Sequence, residues 1–208
     1  MAESYPLSLP NTNIARISLI ARDFVGVSVS PFTGSQQVFR HQGQSWEADI
    51  TLPKMKREDA EAWTAWLLRL RGQYGTFLLG DPTAVVPRGS AGSTPGTPVV
   101  NGAGQIGDEL NIDGLPASAT GYLKAGDYIQ LGSGATATLH KVLEDVDSNA
   151  SGEATLNLWP RVRTAPADNA TVTVSDAKGN FRLAANDTGW DINEAGIYGI
   201  TFGAVEAL

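Results

Sequence analysis

A single stretch of this 208-residue sequence has the periodicity of an α-helix, and it limits what the chain can fold into. Its large apolar side chains recur at i, i+3, i+4 and i+7, the spacing of one helix face: Trp63, Trp66, Leu67 and Leu70. Acidic residues crowd the first turns, arginines the last, and Gly72 follows where a left-handed cap belongs. The pattern predicts a helix over residues 56–71 whose four large apolar side chains form part of a core.

The other predicted elements are short strands separated by Gly, Pro, Ser and Asp. The clearest covers residues 46–52, where Trp46, Ala48, Ile50 and Leu52 alternate with polar residues and so predict one buried face and one wet face. Further strands are predicted over 13–20, 24–29, 37–41, 76–79, 128–131, 136–143, 154–159, 171–175, 180–184 and 196–205. The expected fold class is therefore mainly β with one amphipathic helix.

The order of these elements predicts a discontinuous domain. Residues 88–107 are dense in Gly, Pro, Ser and Thr, which is typical of a linker or an irregular loop. The segment 196–205 is too apolar for a frayed tail and needs a sheet to join. We therefore expect residues 1–87 and 178–208 to form one β-barrel domain, and residues 88–177 to form the linker and an inserted β module.

The composition argues against several kinds of function. The chain has no cysteine, which excludes disulfides, thiolate metal sites and cysteine nucleophiles. Its 15 basic and 22 acidic residues give a net charge of −7, which disfavours direct nucleic-acid binding. The N-terminal residues lack the basic and apolar regions of a signal peptide, and no run of about 18 apolar residues occurs. We expect a protein made in a cytoplasm without a membrane span.

Three motifs with possible chemistry favour structural interpretations. Gly102, Gly104 and Gly107 match the letters of a dinucleotide-binding fingerprint, but no helical pattern follows them, so a loop is expected. The run from Asp145 to Asn149 resembles the start of a calcium loop, but the glycine and glutamate that such a loop requires are missing downstream, so a turn is expected. The histidines, His41 and His140, have no nearby second ligand or nucleophile and are expected at the surface or as hydrogen-bonded structural residues.

One cluster near the C-terminus is a candidate contact site. Asp187 and Asp191 flank Trp190, and an aromatic ring beside carboxylates can mark a sugar site or an interface anchor. The spacing does not single out a carboxylate pair for glycoside hydrolysis. No catalytic set, cofactor site or metal site is recognised, so the chain is not expected to be an enzyme.

The succession of segments resembles the distal tail proteins of long-tailed bacteriophages and prophages. The resemblance rests on ITLPKMKREDAEAWTAWLLRLRGQYGTFLLGDP, then LKAGDYIQLG and LHKV, then KGNFRLAANDTGW and the terminal IYGITFGAVEAL. It covers most of the chain in order and is most specific over residues 57–81 and 181–208. It implies a split β-barrel with one helix, similar to tail-tube folds, that carries an inserted antiparallel β-sandwich or barrel module.

The resemblance also implies a structural function in the virion. Proteins of this family form a hexameric ring at the tail tip that joins the tail tube to the hub or baseplate. The implied partners are further copies of the chain, the tail tube protein and the hub or baseplate protein, with the tape measure protein and a receptor-binding protein as additional candidates. Assembly would take place in the bacterial host cytoplasm. The alternative is a binding module in which residues 88–177 contact host-surface carbohydrate or a receptor-binding protein.

Overall fold

The computed structural model describes residues 3–11 and 13–208, which form fifteen strands and one α-helix, α1 (Arg57–Arg69). In chain order the strands are β1 Arg16–Arg22, β2 Val25–Val29, β3 Gln36–Arg40, β4 Ser45–Thr51, β5 Met55–Lys56, β6 Thr76–Leu79, β7 Val99–Val100, β8 Gly107–Asp113, β9 Tyr128–Leu131, β10 Thr138–Val142, β11 Ala154–Val162, β12 Val172–Thr173, β13 Gly179–Leu183, β14 Trp190–Ile192 and β15 Ile197–Glu206. Two single turns of 3₁₀-helix lie at Ser90–Gly92 and Gly134–Thr136. The prediction of a mainly β fold with one helix is confirmed.

A seven-stranded antiparallel sheet combines strands from both ends of the chain. Its main order is β1-β4-β15-β13-β6, and β5 and β14 also pair with β15. The alternation predicted for β4 is confirmed, because Trp46, Ala48 and Ile50 are buried on one face, followed by buried Leu52. The terminal strand β15 pairs with β4 over five residues, from Thr201 opposite Thr51 to Val205 opposite Glu47.

Helix α1 covers the core of this sheet. Trp63, Trp66 and Leu67 are buried, and so is Leu70, which caps the helix. The two tryptophan rings meet edge to face at 5.6 Å, and the Trp66 indole N–H donates a hydrogen bond to a backbone carbonyl at 2.8 Å. The helix ends through two consecutive left-handed residues, Arg71 (φ 52°) and Gly72 (φ 66°). The predicted end at Gly72 therefore involves one non-glycine residue as well.

A second antiparallel sheet curls into a nearly closed six-stranded barrel. Its order is β12-β9-β10-β11-β8-β7. The two end strands approach each other, since the Val100 amide donates to the Ala170 carbonyl at 2.9 Å and the Val172 amide donates to the Pro98 carbonyl at 3.0 Å. A separate set of apolar residues fills the interior: Leu110, Ile112, Tyr122, Leu123, Ile129, Leu131, Val142, Leu156 and Leu158.

The segment expected to be a linker, residues 88–107, belongs to this barrel. Ala91 and Val100 lie in its core. Gly89 sits so close to the Tyr122 carbonyl that a Cβ there would lie 2.2 Å from the oxygen. The many small residues of this segment therefore allow the backbone to pack closely against its neighbours. They do not make the segment a flexible linker.

The outside of the barrel packs against the seven-stranded sheet. The Trp46 indole N–H donates to the Leu139 carbonyl at 2.9 Å, and the rings of Trp46 and Trp159 meet edge to face at 4.5 Å. Beside them the guanidinium of Arg163, the residue after β11, pairs with the carboxylate of Glu206, at the end of β15. These contacts join the two β units through buried and half-buried side chains.

Candidate assembly surface

One long hairpin of the chain extends beyond the seven-stranded sheet. Its base is the β1–β4 pair, with Arg22 opposite Ser45. After a break the same two chain segments pair again as β2 and β3, with Val27 opposite Val38. Among the described residues, β2 and β3 pair only with each other, so the distal half is a two-stranded ribbon. We call residues 24–39 the projecting hairpin.

The projecting hairpin is apolar although it is exposed. All ten residues of β2 and β3 are exposed, and Phe32 at the tip is 95% exposed. Residues 24–39 include no charged side chain. Opposite residues of an antiparallel pair share a face, so Val25, Val27, Val29 and Val38 lie together on one side of the ribbon.

The exposed apolar area is large for so short a segment. Phe24, Phe32 and Phe39 are 46%, 95% and 66% exposed. With about 200 Å² for a fully exposed aromatic side chain, these three phenylalanines expose about 400 Å². A standard protein interface buries about 800 Å² on each partner. The phenylalanines alone thus supply about half of the area that such an interface needs.

Polar contacts hold the base of the hairpin against the barrel. Arg40 forms two hydrogen bonds with Asp108, at 2.9 and 3.0 Å. The Gln44 amide donates to Asp23 at 2.7 Å, while its carbonyl oxygen accepts from the Arg161 amide at 2.9 Å. The base is therefore held in position while the distal ribbon lacks such support in the described structure. This arrangement suits a contact with another protein surface, because two free strand edges and an apolar face invite pairing.

The predicted C-terminal cluster lies elsewhere, at the edge strand β14. Trp190 is 37% exposed and lies opposite Ile200, and Asp191 follows it in the strand. Adjacent strand residues point to opposite faces, so a sugar stacked on the indole would not meet the Asp191 side chain. Asp187 lies in the preceding loop and lines a separate recess of about 160 Å³. The recess that Asp187 lines includes neither Trp190 nor Asp191.

The motifs interpreted as structural occupy loops and turns. The glycine motif forms a loop that leads into β8, where Gly107 is the first residue. Asp145 accepts hydrogen bonds from Lys124 and from the Ala125 amide, and Asp147 accepts one from the Gly121 amide.

Within residues 3–11 and 13–208, no group of three or more His, Cys, Asp or Glu side chains is placed to hold a metal ion. The described part of the chain also has no helix that is both long and apolar enough to cross a bilayer.

The histidines conform to expectation. His41 is exposed beside Phe39, with the two rings 4.9 Å apart. His140 is buried, and its Nδ1 and Nε2 contact the Pro160 carbonyl oxygen at 2.7 Å and the Thr138 hydroxyl at 2.9 Å. Burial is the main reason that the pKa of His140 is lowered to about 4; the hydrogen bond to Pro160 opposes this change and the nearby Arg163 adds to it. His140 is therefore a neutral structural residue at pH 7.

This burial predicts an acid-dependent loss of stability. The unfolded chain takes up a proton near the ordinary histidine pKa of about 6.5, whereas folded His140 stays neutral until about pH 4. The stabilisation that neutral His140 provides is therefore present above pH 6.5 and is lost as the pH falls toward 4, which lowers the free energy of unfolding by about 3 kcal/mol. Urea denaturation between pH 7 and 4 should show that the free energy of unfolding falls less steeply with decreasing pH for His140→Gln than for the parent protein. Equal slopes for His140→Gln and the parent protein would contradict the assignment.

Comparison with known proteins identifies no relative: no protein-family model matches the chain, and no curated protein matches its sequence.

Proposed function

We propose that this protein is a structural subunit of a ring, hexameric by the resemblance noted in the sequence, at the tail tip of a long-tailed phage or prophage. In this proposal the ring joins the tail tube to the hub or baseplate and has no catalytic step. The seven-stranded sheet with α1 corresponds to the tail-tube-like split barrel. The six-stranded barrel corresponds to the inserted module.

The observation that carries the proposal is the projecting hairpin. A two-stranded ribbon is marginally stable in water on its own, and here it carries valines and phenylalanines instead of charges. Edge strands of monomeric proteins are commonly protected by lysine, proline or an inward-pointing charge. Neither β2 nor β3 contains any of these except Arg40 at the base, which is paired with Asp108. A neighbouring subunit would cover this surface.

A contact between two different patches of identical subunits can build a ring. When one patch binds a different patch on an identical neighbour, the contacts either close into a ring or continue as a filament. The chain also has few charged residues, 18% of its sequence, which leaves much of its surface suited to burial between subunits. These properties agree with the family resemblance and do not depend on it.

The proposal predicts that a charged pair on the hairpin prevents assembly. In the double variant Val27→Lys/Val38→Glu, the new side chains lie directly opposite each other, so their attraction preserves the ribbon while the apolar face is lost. We expect the parent protein to reach about 131 kDa, six copies of the 21.9 kDa chain, and the double variant to stay at 21.9 kDa. Sedimentation equilibrium over a range of concentrations measures both.

Val86→Lys is the matched control. Val86 is 58% exposed, close to the 57% of Val27, but it lies outside the hairpin. This variant should assemble like the parent protein. Assembly of the double variant to the parent mass, or equal loss of assembly in the control, would count against the hairpin as the subunit contact.

A further inference from the structure

An apolar groove of about 500 Å³ lies on the barrel beside the C-terminal residues. Small side chains line much of it, including Ala135, Ala137, Ala165, Ala167 and Ala207. This volume lies within the range of pockets that bury a compact apolar group. The groove is therefore large enough for an aromatic side chain together with the turn that carries it.

No unpaired charged side chain lies among the described residues that line the groove. Arg163 lines it, but its guanidinium is paired with the buried carboxylate of Glu206. His140 lines it as well, and both of its ring nitrogens have hydrogen-bond partners. An occupant that carries a charge would lose hydration without gaining a partner. The groove favours an uncharged, apolar occupant.

The tip of the projecting hairpin has this chemistry. Residues 30–36, Ser-Pro-Phe-Thr-Gly-Ser-Gln, are uncharged, and Phe32 among them is almost fully exposed. The tip has no charged side chain and the guanidinium in the groove is already paired with Glu206, so contact between the two surfaces buries no unpaired side-chain charge. Phe32 itself supplies about 190 Å² of exposed apolar area for such an interface, with about 200 Å² for a fully exposed aromatic side chain.

The tip and the groove of one subunit lie apart. Arg40 holds the hairpin base to Asp108, and the neighbouring Gly107 pairs with Val162 at the groove wall. The groove is thus close to the base of the hairpin. Phe32 lies eight residues beyond Arg40, and at about 3.3 Å per residue the tip extends roughly 25 Å from that anchor. The groove of the same subunit does not cover Phe32.

We propose that the hairpin tip of one copy, led by Phe32, inserts into this groove on a neighbouring copy. This inference rests on the proposed ring and names the surface that receives the hairpin. The contact joins two different patches, so it is head-to-tail and can close into a ring. Each subunit then covers both of its apolar surfaces by using one neighbour on each side.

Disulfide trapping tests the contact directly, because the chain has no cysteine of its own. Full-length Thr33→Cys, which keeps Phe32, is mixed with full-length Ala165→Cys carrying a size tag, and the mixture is oxidised. We expect a cross-linked heterodimer at least tenfold more abundant than with Leu68→Cys as the second chain. Leu68 is 58% exposed on α1 and serves as the matched surface position. Adding Phe32→Asp to the Thr33→Cys chain should remove the cross-link, while its fold remains, as monitored by its urea midpoint.

The outcomes separate this contact from the ring itself. A parent protein that assembles while the Thr33→Cys/Ala165→Cys mixture gives no excess heterodimer overturns the groove contact and leaves the ring proposal standing. Cross-linking mainly between two Thr33→Cys chains also overturns it, in favour of tip-to-tip pairing. A parent protein that stays monomeric under the same conditions overturns both proposals.

Discussion

Replacing Trp63 by alanine should lower the free energy of unfolding by about 3–5 kcal/mol, the range for a fully buried large aromatic residue. Trp63 has no exposed surface and packs edge to face with Trp66. Its ring also lies 6.3 Å from that of Phe202, on β15. The substitution therefore removes contacts between α1 and the sheet strand that the C-terminal segment supplies. Urea denaturation followed by tryptophan fluorescence or circular dichroism measures the change.

Two neighbouring leucines provide a matched control for this prediction. Leu67 is 1% exposed and Leu68 is 58% exposed, so the same substitution probes the two sides of one helix. Leu67→Ala should cost about 2–5 kcal/mol, and Leu68→Ala should cost less than about 0.5 kcal/mol. Equal losses for the two leucines would mean that the assigned face of α1 is wrong.

Replacing Arg163 by methionine should destabilise the protein by about 3 kcal/mol near pH 8, because it leaves a buried carboxylate without its partner. The Glu206 side chain is 2% exposed and also accepts a hydrogen bond from the Trp46 amide at 3.1 Å. Burial raises the pKa of Glu206, and Arg163 opposes that rise. Without Arg163 the carboxyl group should protonate at a higher pH. The loss should therefore be smaller at pH 5 than at pH 8, since a neutral carboxyl group is easier to bury.

The sign of this pH dependence follows from proton uptake. A group whose pKa is higher in the folded state stabilises the fold below its unfolded pKa, and this stabilisation is lost as the pH rises through the pKa of the folded state.

Arg161→Met is the control, because Arg161 lies two residues earlier, on β11, and has no ion pair in the described structure. The double variant Arg163→Met/Glu206→Leu should recover most of the stability. A double variant as unstable as Arg163→Met would show that the cost arises from packing and not from the unpaired charge.

The elements predicted from sequence are those with strong local periodicity. Strand β4 and helix α1 each place large apolar residues at the period of one buried face, and both form with bounds within two residues of the prediction. Strand β8 has the same kind of signal in weaker form. Its Leu110 and Ile112 are fully buried between exposed Glu109 and Asn111, but the acidic residues and glycines around them favour a loop in the sequence. Pairing with β11 outweighs that local preference.

The strands of the candidate assembly surface could be predicted from the sequence, but their exposure could not. Residues 25–29 and 36–40 have the β-branched and aromatic residues of core strands. Whether another part of the chain covers this ribbon depends on the direction in which the ribbon points. The contacts of Arg40 and Gln44 at its base determine that direction. Barrel closure is similarly non-local, since Val100 meets Ala170 only in the folded chain. Absence of charge over residues 24–39 is the one sequence signal that could have marked the hairpin.

Electron microscopy of the purified protein in negative stain distinguishes a ring of subunits from a monomer directly. We expect class averages of rings with sixfold symmetry and a central opening, and we expect them to disappear in Val27→Lys/Val38→Glu while Val86→Lys retains them. Isolated particles of monomer size at every concentration, or rings that persist unchanged in the double variant, would contradict the proposed ring.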